Sequence, residues 1–274
     1  MSLQIHTVDA FTDQPFQGNP AGVCILKQPA SESWMKLVAR EMNLSETAFL
    51  YPIPDGFSLR WFTPRVEVDL CGHATLASAH ILFETAVLKD DETARFSTRS
   101  GWLTAHREGS WIEMNFPSKP ATQAPEPEGI AASLGVKPIF VGMSHFDLLV
   151  EVASPEEVRA AAPDFEKIKQ LPVRGVIVTS RSDLPEFDFI SRFFAPAVGV
   201  NEDPVTGSAH SVLAPFWAAL LGKTSLNAYQ ASERGGKLRL VVRNDRVLIA
   251  GQAVTVMTGE IQNGLENSAT TGNH

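Results

Sequence analysis

Cysteine is scarce in this 274-residue chain: Cys24 and Cys71 are the only two, too few to staple a fold of this size and spaced unlike a zinc site. If they matter, they matter as thiols. No 18-residue apolar run occurs, and the opening MSLQIHTVDAF has no basic start leading into an apolar stretch. Neither a membrane span nor a secretory leader is expected, which points to a cytoplasmic protein. Clustered Lys and Arg are missing as well. With 23 basic residues against 31 acidic ones and a net charge of −8, the chain is unsuited to neutralising nucleic-acid phosphates. Neither a Walker loop nor G-x-G-x-x-G is present, so phosphate is a poor ligand candidate. His73 and His80 stand roughly 10 Å apart along a helix and cannot share one ion, so no metal is expected.

What is present is core. At 44% hydrophobic and 20% charged residues the chain suits an ordered globular protein of one large or two medium domains. Strands are predicted at 3–9 and 23–26. An amphipathic helix over 33–42 follows, behind a Ser cap and stopped by Asn43. Strands at 47–51 and 58–62 flank a Pro-Asp-Gly turn. The stretch 74–84, ATLASAHILFE, is apolar almost all round, as a buried helix is. Three further strands at 94–98, 102–107 and 111–116 close an N-terminal domain, 1–116. Residues 117–128 hold prolines at 117, 120, 125 and 127 and read as an extended linker. A C-terminal domain, 129–262, carries short helices, strands, a second apolar helix over 209–221 that contains Pro215, and hairpin strands at 225–259. The tail 263–274 has too few apolar residues to pack and is expected to be disordered.

The halves repeat. Phe62-Thr-Pro-Arg-Val-Glu-Val matches Phe194-Ala-Pro-Ala-Val-Gly-Val at an offset of 194 − 62 = 132, and Cys71-Gly-His-Ala matches Thr206-Gly-Ser-Ala at 206 − 71 = 135. Each half thus reads strand, F-x-P loop, x-Gly-x, buried helix, and the expected arrangement is two pseudo-symmetric halves facing each other across a cleft. A helix start leaves backbone N–H groups unpaired at the positive end of its dipole. Two such starts suit a carboxylate, with Gly72 and Gly207 allowing close approach and His73 and Ser208 adding donors.

Three residues around the repeat are candidates for moving protons: Glu46 in Leu-Ser-Glu-Thr-Ala-Phe, Asp203 in the insertion before the second helix, and His73 at the first helix start. Cys71 at a helix start would have a lowered pKa, yet free cysteine is also a common small core residue, the simpler reading. Phe11, Phe16, Trp61 and Phe62 are candidates for an aromatic-ring pocket, though strand aromatics are usually core.

At Val8-Asp-Ala-Phe-Thr, Gly18-Asn-Pro-Ala-Gly, Leu44-Ser-Glu-Thr-Ala-Phe, Phe62-Thr-Pro to Asp69-Leu-Cys-Gly-His-Ala-Thr-Leu-Ala and Glu202-Asp-Pro-Val-Thr-Gly-Ser-Ala-His, the chain resembles the phenazine-biosynthesis PhzF-like family, which shares the diaminopimelate epimerase-like fold. The resemblance implies an α/β (α+β) protein of two pseudo-symmetric domains, each a curved, mainly antiparallel sheet or barrel around a central buried helix. It implies a homodimer and an isomerase working without cofactor or metal. On that pattern Glu46 is the general acid/base, with His73 and Asp203 completing the catalytic set. Gly72, His73, Gly207, Ser208 and Asn19 bind a small carboxylate substrate. The epimerase relatives use two thiols; here Thr206 stands at the second position and is a poor base at neutral pH. Two alternatives stand beside the isomerase: an amino-acid epimerase with a carboxylate replacing the second thiol, and a non-catalytic metabolite-binding or interaction protein.

Overall fold

The computed structural model describes residues 3–262; the tail expected to be disordered, 263–274, lies outside them. The chain forms two units. One holds the residues up to Phe16, Pro20–Ile112, and those from Ala253 on; the other holds Gln17–Asn19 and Glu113–Gln252.

In the first unit the order is β1 (Leu3–Ala10), β2 (Asn19–Ile25), α1 (Glu32–Met42), β3 (Glu46–Ile53), β4 (Gly56–Phe62), the two-residue β5 (Glu67–Val68), α2 (Gly72–Glu84), β6 (Thr93–Thr98) and β7 (Gly101–Glu108), while most of β8 (Trp111–Pro117), from Glu113 on, is counted with the second. Strand β2 runs parallel to β3, β3 antiparallel to β4, β4 parallel to β6, and β6 antiparallel to β7. Ser31 caps α1 by accepting the Trp34 N–H, and Asn43 ends it in the left-handed region at φ 50°, a conformation Asn tolerates. The helix thus starts at Glu32, one residue earlier than the sequence suggested. Gly56, at φ +144°, is required: a Cβ there would lie 2.3 Å from the Arg95 carbonyl oxygen.

The second unit continues with β9 (Thr122–Gln123) and α3 (Ile130–Leu134), then β10 (Pro138–Met143), β11 (Asp147–Val152), α4 (Pro155–Ala160), α5 (Phe165–Ile168), β12 (Gly175–Arg181) and β13 (Phe189–Phe194). A 3-10 turn, Pro196–Val198, precedes α6 (Gly207–Leu221), β14 (Ser225–Gln230), β15 (Gly236–Arg243) and β16 (Arg246–Gly251). Here β11 is parallel to β12, β12 antiparallel to β13, β13 parallel to β14, and β14 antiparallel to β15. That is the first unit's pairing series repeated, with α2 and α6 at the same place in each, and it supports duplication. Each helix is the centre of its own unit. Helix α2 is buried from His73 to Ala79 and again from Ile81 to Phe83, and it touches β1, β3 and β7, so the sheet bends round it.

Two sequence-based boundaries change. The last strand, β17 (Ala253–Ile261), was grouped with the C-terminal domain, but it pairs antiparallel along all of β1, from Leu3 opposite Ile261 to Ala10 opposite Ala253. An open β1 edge would leave a row of unpaired N–H and C=O groups, and β17 removes it. The proline-rich segment 117–128 is extended, as expected, yet fastened to the second unit. Ser118 N–H donates to Asp245 O at 2.8 Å, Lys119 N–H to Ser211 O at 3.0 Å, and Ala124 N–H to Val141 O at 3.0 Å. The Lys119 contact accounts for Pro215. Proline inside α6 has no N–H for the carbonyl four residues back, Ser211, and the freed oxygen is taken by the segment that leads into this unit.

Strand β17 is also pinned by histidines. His6 Nδ1 lies 3.1 Å from Thr258 Oγ1 and His80 Nε2 3.1 Å from Thr255 Oγ1, while Thr255 donates to Glu84 at 2.5 Å. Burial holds both imidazoles below 6.5, against the pull of Glu84. A lowered pKa in the folded state means that stability is complete above 6.5 and is lost as pH falls through that value toward the folded-state pKa. The urea midpoint is expected to drop on acidification below 6.5 and to drop less steeply in His6→Gln/His80→Gln; an unchanged slope would remove this pair from the acid response.

Candidate active site

Side chains alternate along a strand, so β3 sends Glu46, Ala48 and Leu50 to one face and Thr47 and Phe49 to the other. Phe49 packs with Phe62 and the α1 residues Met35, Val38 and Ala39. Glu46 is thereby turned toward α2. That helix begins at Gly72 with Cys71 as N-cap, no capping side chain and no acidic residue in its first turn, so its leading N–H groups are left for a ligand. His73, in the same turn, places Nε2 3.2 Å from Glu46 Oε2, with side chains 6% and 15% exposed. Cys71 Sγ lies 3.6 Å from His73 Nδ1.

The charges follow from this packing. Burial, then the neighbouring Glu46 carboxylate, pushes the Cys71 thiol up to about 11, so it is protonated at neutral pH. Burial also opposes a charged His73, but the Cys71 sulfur and Glu46 outweigh it and hold the imidazole well above 6.5. The Cys71 sulfur acts first in raising His73 and Glu46 after it. The first unit therefore presents a carboxylate base, an imidazolium and a thiol proton side by side. Glu46, Cys71 and His73 also offer three metal-type donor atoms within 4.8 Å of one another, the carboxylate coming from a strand distant in sequence.

Asn19, Asp203, Gly207 and Ser208 belong to the second unit. Asp203 accepts from Asn19 Nδ2 at 2.7 Å on one oxygen and from the Thr206 hydroxyl at 2.6 Å on the other. Gln230 ties the same loop: its oxygen accepts the Thr206 N–H at 2.8 Å and its nitrogen donates to the Asp203 carbonyl at 2.7 Å. Helix α6 then starts at Gly207 with neither cap nor acid, as α2 does, with Ser208 half-buried in its first turn. Asn19 Oδ1 is buried without a hydrogen-bond partner. Of the four aromatics considered for a ring pocket, Phe11, Trp61 and Phe62 are core, and Phe16 is 73% exposed.

Sequence reasoning missed Gln230 and His210, neither of which stands in a recognisable pattern. His210 has a partner in the repeat. At an offset of 210 − 75 = 135 from Thr75, it donates from Nδ1 to Thr206 O at 2.8 Å, as the Thr75 hydroxyl donates to Cys71 O at 2.5 Å. Burial drives His210 down to about 4, so the ring is neutral and Nδ1 can carry the proton it donates.

A second duplicated device holds the two loops. Arg60 forms a bidentate pair with Glu67, 2.7 Å at both contacts, and its guanidinium stacks over Phe62 at 5.1 Å. Arg192 does the same with Glu202, at 2.7 and 2.8 Å, and stacks over Phe194 at 4.8 Å. Each glutamate stands four residues before the helix cap (71 − 67 = 4; 206 − 202 = 4). The clamps therefore correct the alignment: Glu67 corresponds to Glu202, not Gly199, and the three extra residues lie ahead of Glu202, where the 3-10 turn is. Arg192 also donates from Nη1 to the carbonyls of Val158, Arg159 and Ala161 while its Nε and Nη2 hold Glu202, a combination that needs the planar fork. Arg192→Lys is expected to cost roughly 1–3 kcal/mol by chemical denaturation, from unmet buried partners; a cost near zero would mean that the clamp carries no stability.

The comparisons with known proteins agree with this architecture. The sequence signature of the phenazine biosynthesis-like proteins (PhzC-PhzF) matches residues 8–259. A protein of Halalkalibacterium halodurans, named an isomerase, is 53% identical over 262 residues, covering 95% of this chain and 99% of its own. The crystal structure of a PhzF-family protein from Enterococcus faecalis superposes with a TM-score of 0.92 at 41% identity, over 95% of this chain and 99% of that one. A protein from Agrobacterium radiobacter described as a probable proline racemase, at 12% identity and a TM-score of 0.64 over 94% and 92% of the two chains, shares the fold. Fold and relatives together define an isomerase-type enzyme with the two-domain epimerase-like architecture. The chain belongs to the phenazine biosynthesis-like family.

Proposed function

We propose that the protein is a cofactor-independent isomerase that shifts a proton on a small carboxylate-bearing substrate, with Glu46 as general acid/base. The observation that carries this is the 3.2 Å contact between Glu46 Oε2 and His73 Nε2 at an uncapped helix start. Glu46 takes a proton from a carbon made acidic by a neighbouring carboxylate or enamine, and the adjacent imidazolium lowers the cost of the charge that develops on the substrate. The N–H groups at Gly72–His73 take up a substrate carboxylate, and Gly207–Ser208 offer the second unit's own helix start to an anion. Asp203, already accepting two hydrogen bonds, serves to orient, and Asn19 shapes the same loop.

The arrangement supports proton shift over two-base epimerisation. Thr206 occupies the place a second thiol would need, and its hydroxyl proton is committed to Asp203 at 2.6 Å. Among carboxylates bearing an enamine or a 2-amino group, incubated in D₂O, a true substrate is expected to gain deuterium at carbon. Glu46→Gln is expected to lower that rate by at least about 10²-fold while binding persists. Unchanged deuterium uptake in the variant would overturn the assignment of Glu46, and inversion at the 2-carbon, followed by circular dichroism of the substrate, would favour the epimerase.

A further inference from the structure

We propose that Cys71, His73 and Glu46 form a binding site for a divalent cation of the zinc class, and that occupying it takes the Glu46 carboxylate out of acid/base use. The second half of this statement rests on the proton-transfer reading; the site itself does not. Each side chain contributes one donor atom, and the three atoms lie within 4.8 Å of one another. Glu46 Oε2 is 3.2 Å from His73 Nε2, which is 4.0 Å from Cys71 Sγ. Zinc bonds of about 2.0–2.2 Å to nitrogen or oxygen and about 2.3 Å to sulfur put tetrahedral neighbours roughly 3.3–3.6 Å apart. The sulfur now lies nearer His73 Nδ1, at 3.6 Å, so a rotation of the imidazole and side-chain shifts of more than about an ångström bring all three round one ion.

The donor chemistry selects the metal. A thiolate with imidazole and one carboxylate suits zinc, cobalt or cadmium, whereas magnesium and calcium prefer oxygen ligands. Three protein ligands leave a fourth position for water or for a carboxylate. On binding, the Cys71 thiol and the His73 Nε2–H each release a proton to solvent, and metal–sulfur and metal–nitrogen bonds replace them. Cys71 is the N-cap residue of α2, so the thiolate that forms lies at the positive end of that helix. Sequence spacing concealed the set, because its carboxylate stands 73 − 46 = 27 residues before the histidine.

Titration of the metal-stripped full chain with Co²⁺ tests this. One equivalent is expected to raise a sulfur-to-cobalt charge-transfer absorption together with tetrahedral visible bands, both removed by added Zn²⁺. Cys71→Ser should abolish the charge-transfer band and Cys24→Ala should keep it, since Cys24 is buried in an apolar cluster. His73→Asn and Glu46→Gln should each weaken Co²⁺ by at least the roughly 10–100-fold that loss of an outer-shell partner costs. Absence of the band in folded protein, or a Co²⁺ affinity indifferent to His73→Asn and Glu46→Gln, would overturn the proposal. Glu46 lies at the edge of the core, so its variant keeps the test decisive should Cys71→Ser fail to fold. No turnover is measured, so failure of the metal site and failure of the isomerase reading are separate results.

Discussion

A carboxylate pressed against an apolar helix must be compensated, and at Glu46 the compensation comes from His73. The Glu46 side chain is 15% exposed and His73 only 6%, so both have lost most of their water. An ion in such surroundings without a partner costs several kcal/mol. The pair meets that cost locally, and the open N–H groups of α2 supply further positive potential. Much of the first unit serves this contact: the β3 register that turns Glu46 to the α2 face, the Arg60–Glu67 clamp that fixes the loop into Cys71, and the Thr75 hydroxyl that holds the Cys71 carbonyl.

Duplication copied the scaffold and left the chemistry unequal. Both units have an uncapped apolar helix, an arginine–glutamate clamp stacked on phenylalanine, and a donor to the carbonyl of the cap residue. In the repeat, however, Glu46 corresponds to Gly175, since Thr47 faces Phe62 as Val176 faces Phe194 (176 − 47 = 129), while His73 corresponds to Ser208 and Cys71 to Thr206 (208 − 73 = 206 − 71 = 135). The second unit therefore keeps an anion-ready helix start, where Asp203 is bound by Asn19 and Thr206 and Glu202 by Arg192. This inequality is why a single carboxylate, rather than a symmetric pair of bases, is assigned the proton.

Legibility in the sequence followed the range of the interactions. Local signals read well: Asn43 stops α1, and the all-round apolar runs mark α2 and α6 as buried. The x-Gly-x repeat located both helix starts. The pairing of β17 with β1 had no local trace, since its first partners, Leu3 and Ile261, lie at opposite ends of the chain. Pro215 was visible but its use was not, because the oxygen it frees is filled by Lys119, far away in sequence. Gln230 acts through one buried amide whose partners lie 24 and 27 residues away, a distance at which no spacing rule operates. The clamp glutamates were misaligned because apolar matches outweighed a single charge.

The protonation state of His73 tests the central pairing most directly. The ¹⁵N chemical shifts of its ring, followed against pH in the wild type and in Glu46→Gln, should show an imidazolium that persists well above 6.5 in the former and a titration displaced downward in the latter, where burial is opposed by no carboxylate. A ring already neutral below 6.5 in the wild type, or the same titration in both proteins, would contradict the account.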